Sequence, residues 1–402
     1  MADNFDIVII GAGIAGLSAA KVIANQSSFS IAVVERISVG SNITSPLTFS
    51  DIIKEHDLDD CTKGKYSHFT FHNHNGSSIR YEFEGTPLVV LDYQKACNKI
   101  YNSIQNKVSL INKKAMNYIQ NDDSVTLELD DEKQIKSKIL IDCSGKSKFT
   151  YSKINKNHLS YYSHVLGATI CDINNYAKKE CCFLWPDKNF GLGGGWYYYL
   201  DNGKISFGYA EISKSTNYDN DKLMDNFKNA LKKFSPYSGY LEGSKIELYE
   251  RGVIPITFIE SFVHNNILIA GDAAGMATNW TCMGIEPALE YGNLAGYTSV
   301  KALESNNIKS LKEFQNIWDK ENRDTYATMN KMAPRFWVTD KYFWEWIIKN
   351  DFAFLTSAQA LDRMRWNKHL PGKTKLLVMA LKYKLKSLRD KSTLDPIHIS
   401  IK

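Results

Sequence analysis

Asp6-Ile7-Val8-Ile9-Ile10-Gly11-Ala12-Gly13-Ile14-Ala15-Gly16 stands almost at the start of the chain, and Val33-Val34-Glu35-Arg36 follows it. Residues 6–10 are an apolar, β-branched run, the pattern of a parallel strand buried on both faces. Gly11 permits a tight turn at its end. Gly13 lacks a Cβ, so a pyrophosphate can approach the backbone, and Gly16 lets the next helix pack on the sheet. That helix, predicted over roughly residues 14–25, is rich in Ala and Leu. Its free N–H groups, beginning at Ile14 and Ala15, and its positive dipole end face an anion. Residues 31–35 read as a second strand. Glu35 lies 19 residues after Gly16, close to the spacing at which an acid binds the ribose hydroxyls of an adenosine, with Arg36 beside it. This element predicts a dinucleotide but does not separate NAD from FAD.

A second stretch makes that separation. Ile267-Leu268-Ile269-Ala270 reads as a short strand running into Gly271-Asp272-Ala273-Ala274-Gly275, and Gly284-Ile285-Glu286-Pro287-Ala288-Leu289-Glu290 begins a helical pattern that lasts to about residue 302. The arrangement resembles the flavoprotein superfamily with the p-hydroxybenzoate hydroxylase-like fold. The resemblance implies that Asp272, after Gly271, holds the ribityl and phosphate region of FAD. It also implies that the backbone of Met283, Gly284 and Ile285 faces the isoalloxazine, where a helix dipole stabilises the negative charge of reduced flavin. Ile139-Leu140-Ile141-Asp142-Cys143-Ser144-Gly145 is similar to the strand and turn after the superfamily's β-meander. Lys114-Ala115-Met116 sits where such proteins pass a strand over the adenine, which puts Ala115 at the cofactor. Gly252-Val253-Ile254-Pro255 resembles the segment ahead of the Gly-Asp strand. The likeness covers about residues 5–300.

Within the superfamily the pattern is closest to the geranylgeranyl reductase-like prenyl reductases, which lie near lycopene cyclases. Their Gly-Gly-aromatic strand, hairpin and Gly-rich strand resemble Gly193-Gly194-Gly195-Trp196-Tyr197-Tyr198-Tyr199-Leu200, the turn Asp201-Asn202-Gly203, and Ile205-Ser206-Phe207-Gly208. Asp-Asn-Gly between two β-rich runs is itself a hairpin signal. Flavin-dependent halogenases carry a Trp-x-Trp-x-Ile-Pro here, whose second Trp and Pro this chain lacks. The chain also departs from the reductases. Ser41-Asn42-Ile43-Thr44-Ser45-Pro46-Leu47 replaces a Cys-Gly-Glu-Gly-type stretch, Val90-Leu91-Asp92-Tyr93 lacks an Arg found in many relatives, and Trp280-Thr281-Cys282-Met283 replaces a Gly-rich run.

The expected fold is therefore α/β with an α+β substrate domain. A Rossmann-type FAD-binding domain with a β-meander (1–60, 92–155 and 257–305) is interleaved with an antiparallel-sheet substrate domain (61–91 and 156–256). A helical C-terminal region (306–402) follows, with an aromatic cluster from Phe336 to Phe354. A chain of 402 residues can carry two packed domains, and at 44% hydrophobic and 23% charged its composition is that of a soluble protein. Seven Cys without a CxxC argue against a disulfide framework. A first strand that begins at residue 6 leaves no length for a signal peptide, and no run approaches the ~20 apolar residues of a membrane span, so a cytoplasmic setting is expected.

Charge is unevenly placed. Residues 363–391 hold ten of the 49 Lys and Arg but one of the 44 acids, so the rest of the chain carries 39 bases against 43 acids. Within 373–389, Leu377, Leu381, Leu385 and Leu388 share one helical face while Lys375, Lys382, Lys386 and Arg389 share another. Two readings fit: a basic helix lying on an anionic cytoplasmic membrane face, or a solvated helix whose Leu face packs on the domain. Nucleic acid is not an expected partner, because the rest of the chain is acidic and shows no matching module.

The resemblance implies that the flavin ring lies between the FAD domain and the antiparallel sheet. Trp196, Tyr198, Phe207 and Trp280 are candidate walls of an apolar substrate pocket, the alternative being sheet core. Cys282, beside a helix N-terminus, is the catalytic candidate: a thiol of lowered pKa acting as proton donor or nucleophile, or a small buried apolar residue. No second GxGxxG follows a strand, so electrons must come from transiently docked NAD(P)H, ferredoxin or a partner reductase. Three functions stay open. A reductase would pass hydride from flavin to a carbon–carbon double bond of an apolar, isoprenoid-like substrate. A hydroxylase or halogenase-like monooxygenase would act on an aromatic or alkene through a flavin hydroperoxide. A flavin-binding protein would have no turnover.

Overall fold

The computed structural model describes residues 3–42, 44–73, 76–155, 160–171, 178–185, 193–233, 241, 244–279, 281–338, 349–370, 378, 381, 385 and 398–401. Its first sheet carries the N-terminal motif. In order across the sheet run Val263–His264, Ile267–Ile269, Gln134–Asp142, Asp3–Ile10, Ile31–Val34 and Ser109–Ile111. The four strands on either side of and including Asp3–Ile10 that carry the motifs pair in parallel, with Ile10 opposite Val34 and Asp142, and Asp142 opposite Ile269. The ends of these strands thus converge on one edge, where Gly11, Cys143 and Ala270 leave the sheet together. The antiparallel strands Ala115–Gln120 and Val125–Leu129 add the meander on Gln134–Asp142.

Two helices cover this sheet at the motif edge. Ile14–Gln26 begins directly after Gly13, and Ile285–Glu304 after Gly284. Each buries a stripe of small residues, and they cross closely because Gly292 and Gly296 have no side chains. A Cβ on Gly292 would stand 2.5 Å from the Ala15 carbonyl oxygen, and one on Gly296 2.6 Å from that of Ala19. Overpacking of that kind costs roughly 1–3 kcal/mol per site, so these bare positions set how near the two helix N-termini lie.

The second sheet has the order Lys245–Pro255, Tyr162–Cys171, Lys204–Ser213, Gly195–Tyr199, Cys181–Trp185, His68–Asn73, Ser78–Glu82 and His398–Ile401. The hairpin expected at Asp201-Asn202-Gly203 forms, with Trp196 opposite Gly208. Strand parity divides the sheet. Tyr197, Phe207 and Tyr209 face a core closed by the helix Asn220–Lys233 through Leu223, Phe227 and Ala230. Trp196 and Tyr198 face the nucleotide-binding domain. Cys181 and Cys182 fall on opposite faces, one in each core, and all seven cysteines are free.

Two features of the sheets differ from the sequence reading. Thr62–Tyr66 and Leu88–Leu91 leave the large sheet and pair with Leu47–Phe49 in a separate three-stranded sheet. All four residues of Leu88–Leu91 are buried, which suits a strand covered on both sides between the two larger sheets. The C-terminal region is not wholly helical: His398–Ile401 pairs in parallel with Ser78–Glu82. Its alternation of isoleucine with polar residues favours a strand, and it covers what would otherwise be an open sheet edge. The helices Lys312–Val338 and Ser357–Trp366 precede it. The side chains of Phe336 and Trp337, and the aromatic residues 342–346, lie outside the described residues.

Candidate active site

A cavity of about 590 Å³ runs between the motif edge of the first sheet and the inner face of the second. At one end stand Glu35 and Arg36, in the middle the Gly11–Ala15 turn and Asp272, and at the other end Met283, Gly284 and Ile285 opposite Trp196 and Tyr198. The two motifs, some 260 residues apart in sequence, thus form the wall of one continuous space.

The turn is shaped as its glycines require. Gly11 adopts φ +101°, and a Cβ there would lie 2.4 Å from the Cys143 carbonyl oxygen. Gly16 and Gly271 do not line the cavity. Their places are structural: a Cβ on Gly16 would lie 2.0 Å from the Gly11 carbonyl oxygen, and one on Gly271, at φ +64°, 2.8 Å from Ala15 Cβ. They stand behind the wall and fix its curvature. Ala115 is also off the cavity, and Lys114, one residue earlier, lines it instead. The Glu35 carboxylate accepts the Ala12 N–H at 2.9 Å and the Ile37 N–H at 3.0 Å, which locks it over the turn. Neither cavity-facing helix is capped by a side chain of its own N-cap residue, Gly13 or Gly284; the Ile14 N–H is taken by the Tyr93 hydroxyl, and the remaining backbone donors of the first turns can meet an anion.

Asp272 points into the middle of the cavity. Burial pushes its carboxyl up, to about 6, against the pull of Lys148. Lys148 is the functional neighbour that sequence reading missed. It is 4% exposed, sits at φ +44°, and donates to Ser160 Oγ at 3.0 Å and to the Thr257 carbonyl at 3.2 Å. Burial holds its ammonium down, to about 8. Its burial, its depressed pKa and its left-handed backbone are properties of the packed structure and leave no mark in the sequence.

The flavin end differs from expectation in two places. Phe207 is fully buried on the far face of the sheet, against Phe227, and is no pocket wall. The register sets this, because Phe207 pairs with Tyr197 and not with Trp196. Trp280 lies outside the described residues. Cys282 lines the cavity, but burial raises its thiol, to about 12, rather than lowering it. Loss of water around the sulfur and the Asp272 charge raise it, and the Ser163 hydroxyl opposes them. Cys282 takes φ +57° in a turn closed by the Cys282 N–H to Thr278 carbonyl bond and the Met283 N–H to Thr278 Oγ1 bond. The chain keeps here, with a cysteine, a bend for which glycine is the usual residue. Ser163 Oγ, fully buried, lies beside this thiol on the cavity wall.

Trp196 paves the floor. Its indole lies flat across Gly208 and Gly167, where a Cβ would fall 1.9 Å and 2.6 Å from the ring. Its N–H donates to Ser206 Oγ at 3.1 Å, and Tyr198 stacks beside it. The flavin-end loop is buttressed from the C-terminal region: Thr281 Oγ1 donates to the Met364 carbonyl and Arg365 grips Glu286.

A cavity with a Gly-rich turn and the Glu35 carboxylate at one end, a Gly-Asp strand in the middle and a helix N-terminus at the other has donors that suit FAD. This defines the class, a two-domain FAD-binding oxidoreductase fold. The chain belongs to the lycopene cyclase protein family, whose model matches residues 6–380, within the FAD-dependent oxidoreductase superfamily. It is 24% identical over 348 residues to a digeranylgeranylglycerophospholipid reductase of Methanosarcina acetivorans, covering 81% of this chain and 82% of that one. A match to digeranylgeranylglycerophospholipid reductase 1 of Methanopyrus kandleri is 30% identical over 131 residues, 32% of this chain, and spans only 33% of that protein. Among solved structures, a geranylgeranyl bacteriochlorophyll reductase-like protein from Thermoplasma acidophilum superposes with a TM-score of 0.75 at 13% identity, covering 97% of this chain and 98% of that one. The flavin-dependent brominase Bmp2 superposes with a TM-score of 0.69 at 14% identity, covering 96% and 100%. These superpositions show the fold alone.

Proposed function

We propose that the protein reduces a carbon–carbon double bond of an apolar, isoprenoid-like substrate. The observation that carries this reading is the single cavity, whose nucleotide-binding wall faces a floor of Trp196 and Tyr198. The resemblance to a digeranylgeranylglycerophospholipid reductase over 81% of this chain supports it. FAD, when bound and reduced by two electrons from a donor such as NAD(P)H or ferredoxin, would supply the hydride. Glu35 and the Gly11–Ala15 turn would hold its adenosine and phosphate end. Asp272 would hold the ribityl end, and Met283 to Ile285 would face the ring. Trp196 would hold the alkene flat against that ring and exclude water. As hydride enters one alkene carbon, the other needs a proton. The Cys282 thiol, protonated at neutral pH, holds one at the cavity wall, with the Ser163 hydroxyl beside it.

The likeness to a brominase keeps a monooxygenase as the second reading, and one experiment divides them. The protein is reduced chemically without oxygen and mixed with geranylgeraniol. Return of the yellow flavin absorbance before any oxygen is admitted is the expected result, with consumption of a double bond seen by mass spectrometry. Absorbance that returns only on adding oxygen, with an oxygenated product, would sink the reductase reading.

We further propose that the basic C-terminal segment touches an anionic membrane surface. Val378, Leu381 and Leu385, the described residues of that segment, are helical and exposed, which leaves them free to enter a headgroup layer. Among the described residues no helix is long and apolar enough to cross a membrane. The chain is expected to float with phosphatidylglycerol vesicles at low salt and to remain behind with phosphatidylcholine vesicles. Equal behaviour with both would refute the idea.

A further inference from the structure

The most informative unassigned group in the cavity is a phenol. Tyr93 is the first residue of the helix Tyr93–Asn102, whose start is fixed by Asp92, the side chain of which accepts the Lys95 N–H at 3.1 Å. The ring reaches the N-terminus of the dinucleotide helix, 79 residues away in sequence, and its hydroxyl accepts the Ile14 N–H at 3.3 Å. A Cβ on Gly13 would lie 2.8 Å from that hydroxyl. The missing side chain of Gly13 therefore makes room for Tyr93, whereas the sequence alone assigns that room to a phosphate. Tyr93 lines the cavity between the turn and Asp272, whose charge it feels.

We propose that Tyr93 is a ligand of the cofactor's pyrophosphate: its hydroxyl accepts the Ile14 N–H and donates its own proton to a phosphate oxygen. This rests on the FAD assignment of the cavity. Burial holds the phenol well above its ordinary titration range, so the proton is present at every working pH. It has two directions to go. One is the Cys97 sulfur, one turn along the same helix, with which the hydroxyl also interacts. The other is the cavity. A thiol sulfur is a weak acceptor, whereas an ionised phosphate oxygen is a strong one, so cofactor binding draws the O–H away from sulfur. The phenol relays the Ile14 N–H outward by one hydrogen bond, adding its own donor to those of the Gly11–Ala15 turn.

The test compares the parent with Tyr93→Phe, both stripped of flavin, for binding of FAD by fluorescence quenching and of ADP and adenosine by calorimetry. A hydrogen bond to a charged group predicts that FAD and ADP are weakened together, by about 10-fold or more, while adenosine, which has no phosphate, binds both proteins equally. Cys97→Ala is expected to leave FAD affinity unchanged. Unchanged FAD and ADP affinities would overturn the proposal, as would tighter ones, which would make the phenol an obstacle to the phosphate. Weakening of adenosine by the same factor would also overturn it, by showing a merely structural role. If Tyr93→Phe binds FAD normally while Asp272→Ala does not, the phenol's role fails and the cavity remains a flavin site. A parent that binds no FAD overturns both.

Discussion

Asp272→Ala is expected to purify colourless, with FAD affinity lowered by about 100-fold or more. Two charge-assisted hydrogen bonds of ~1.5–3 kcal/mol each would account for such a loss. The carboxylate lies midway along the cavity, and Gly284 comes close enough that a Cβ on it would sit 3.3 Å from Asp272 Oδ1. It therefore spans both cofactor-facing turns. The pH dependence gives an independent check. Burial pushes this carboxyl up to about 6 from an ordinary 3.8, so its ionisation opposes folding of the empty protein. That contribution to stability is present below about 4 and is lost as pH rises through about 6. Cofactor affinity has the opposite sign, since the ionised carboxylate is the better acceptor for hydroxyl groups. FAD is expected to bind more weakly as pH falls through about 6 in the parent, and this dependence should vanish in Asp272→Asn. An Asp272→Ala protein that keeps stoichiometric flavin would show that the Gly-Asp strand does not hold the cofactor.

The parts of this site that were legible in the sequence are those in which backbone geometry dictates residue type. Gly11 is required by a positive φ and by a carbonyl at its Cβ position, and such a demand is visible without knowing the partner. Alternation likewise put Trp196 and Tyr198 on one face. It could not place Phe207, because parity within one strand says nothing about parity in the next until the register is known. A single pairing, Trp196 with Gly208, sends Phe207 to the far side. Tyr93, Lys148 and Arg365 were invisible for a different reason. Each acts on a partner 79 or more residues away, or through burial that only the packed domains create. Cys282 was found in the right place with the wrong electrostatics. Proximity to a helix N-terminus can be read from sequence, but the withdrawal of water that outweighs it cannot.

The same contrast governs the C-terminal region, which sequence reading tied to a membrane surface through residues 373–389 but not to the flavin end of the cavity. Thr356 opens the helix Ser357–Trp366 with a capping box completed by Gln359. That aims Arg365 at the flavin-facing helix. Its guanidinium binds both oxygens of Glu286, bonds Asp51 at 2.7 Å and lies over the Phe49 ring at 5.0 Å. The Glu286 side chain is 3% exposed and is the second residue of the Ile285–Glu304 helix. Burial pushes its carboxyl up, to about 8, and Arg365 opposes this. Arg365→Met leaves that carboxylate buried without its cation, which typically costs ~3–5 kcal/mol. A Tm lowered by several degrees and weakened FAD binding are expected together, because Gly284 is the residue on which this helix starts. A carboxyl raised above its ordinary 4.5 supports folding below that pH and loses the contribution as pH rises through its folded value. Removing the arginine raises it further, so the part of the Arg365→Met deficit that comes from this carboxyl should be small below about 8, where the group is protonated in both proteins, and widen as pH rises above about 8. Adding Glu286→Gln removes the stranded charge and should restore most of the stability and of the flavin affinity. A double variant no better than Arg365→Met alone would show that the arginine acts through packing on Phe49, and that the C-terminal region supports the fold without positioning the flavin helix.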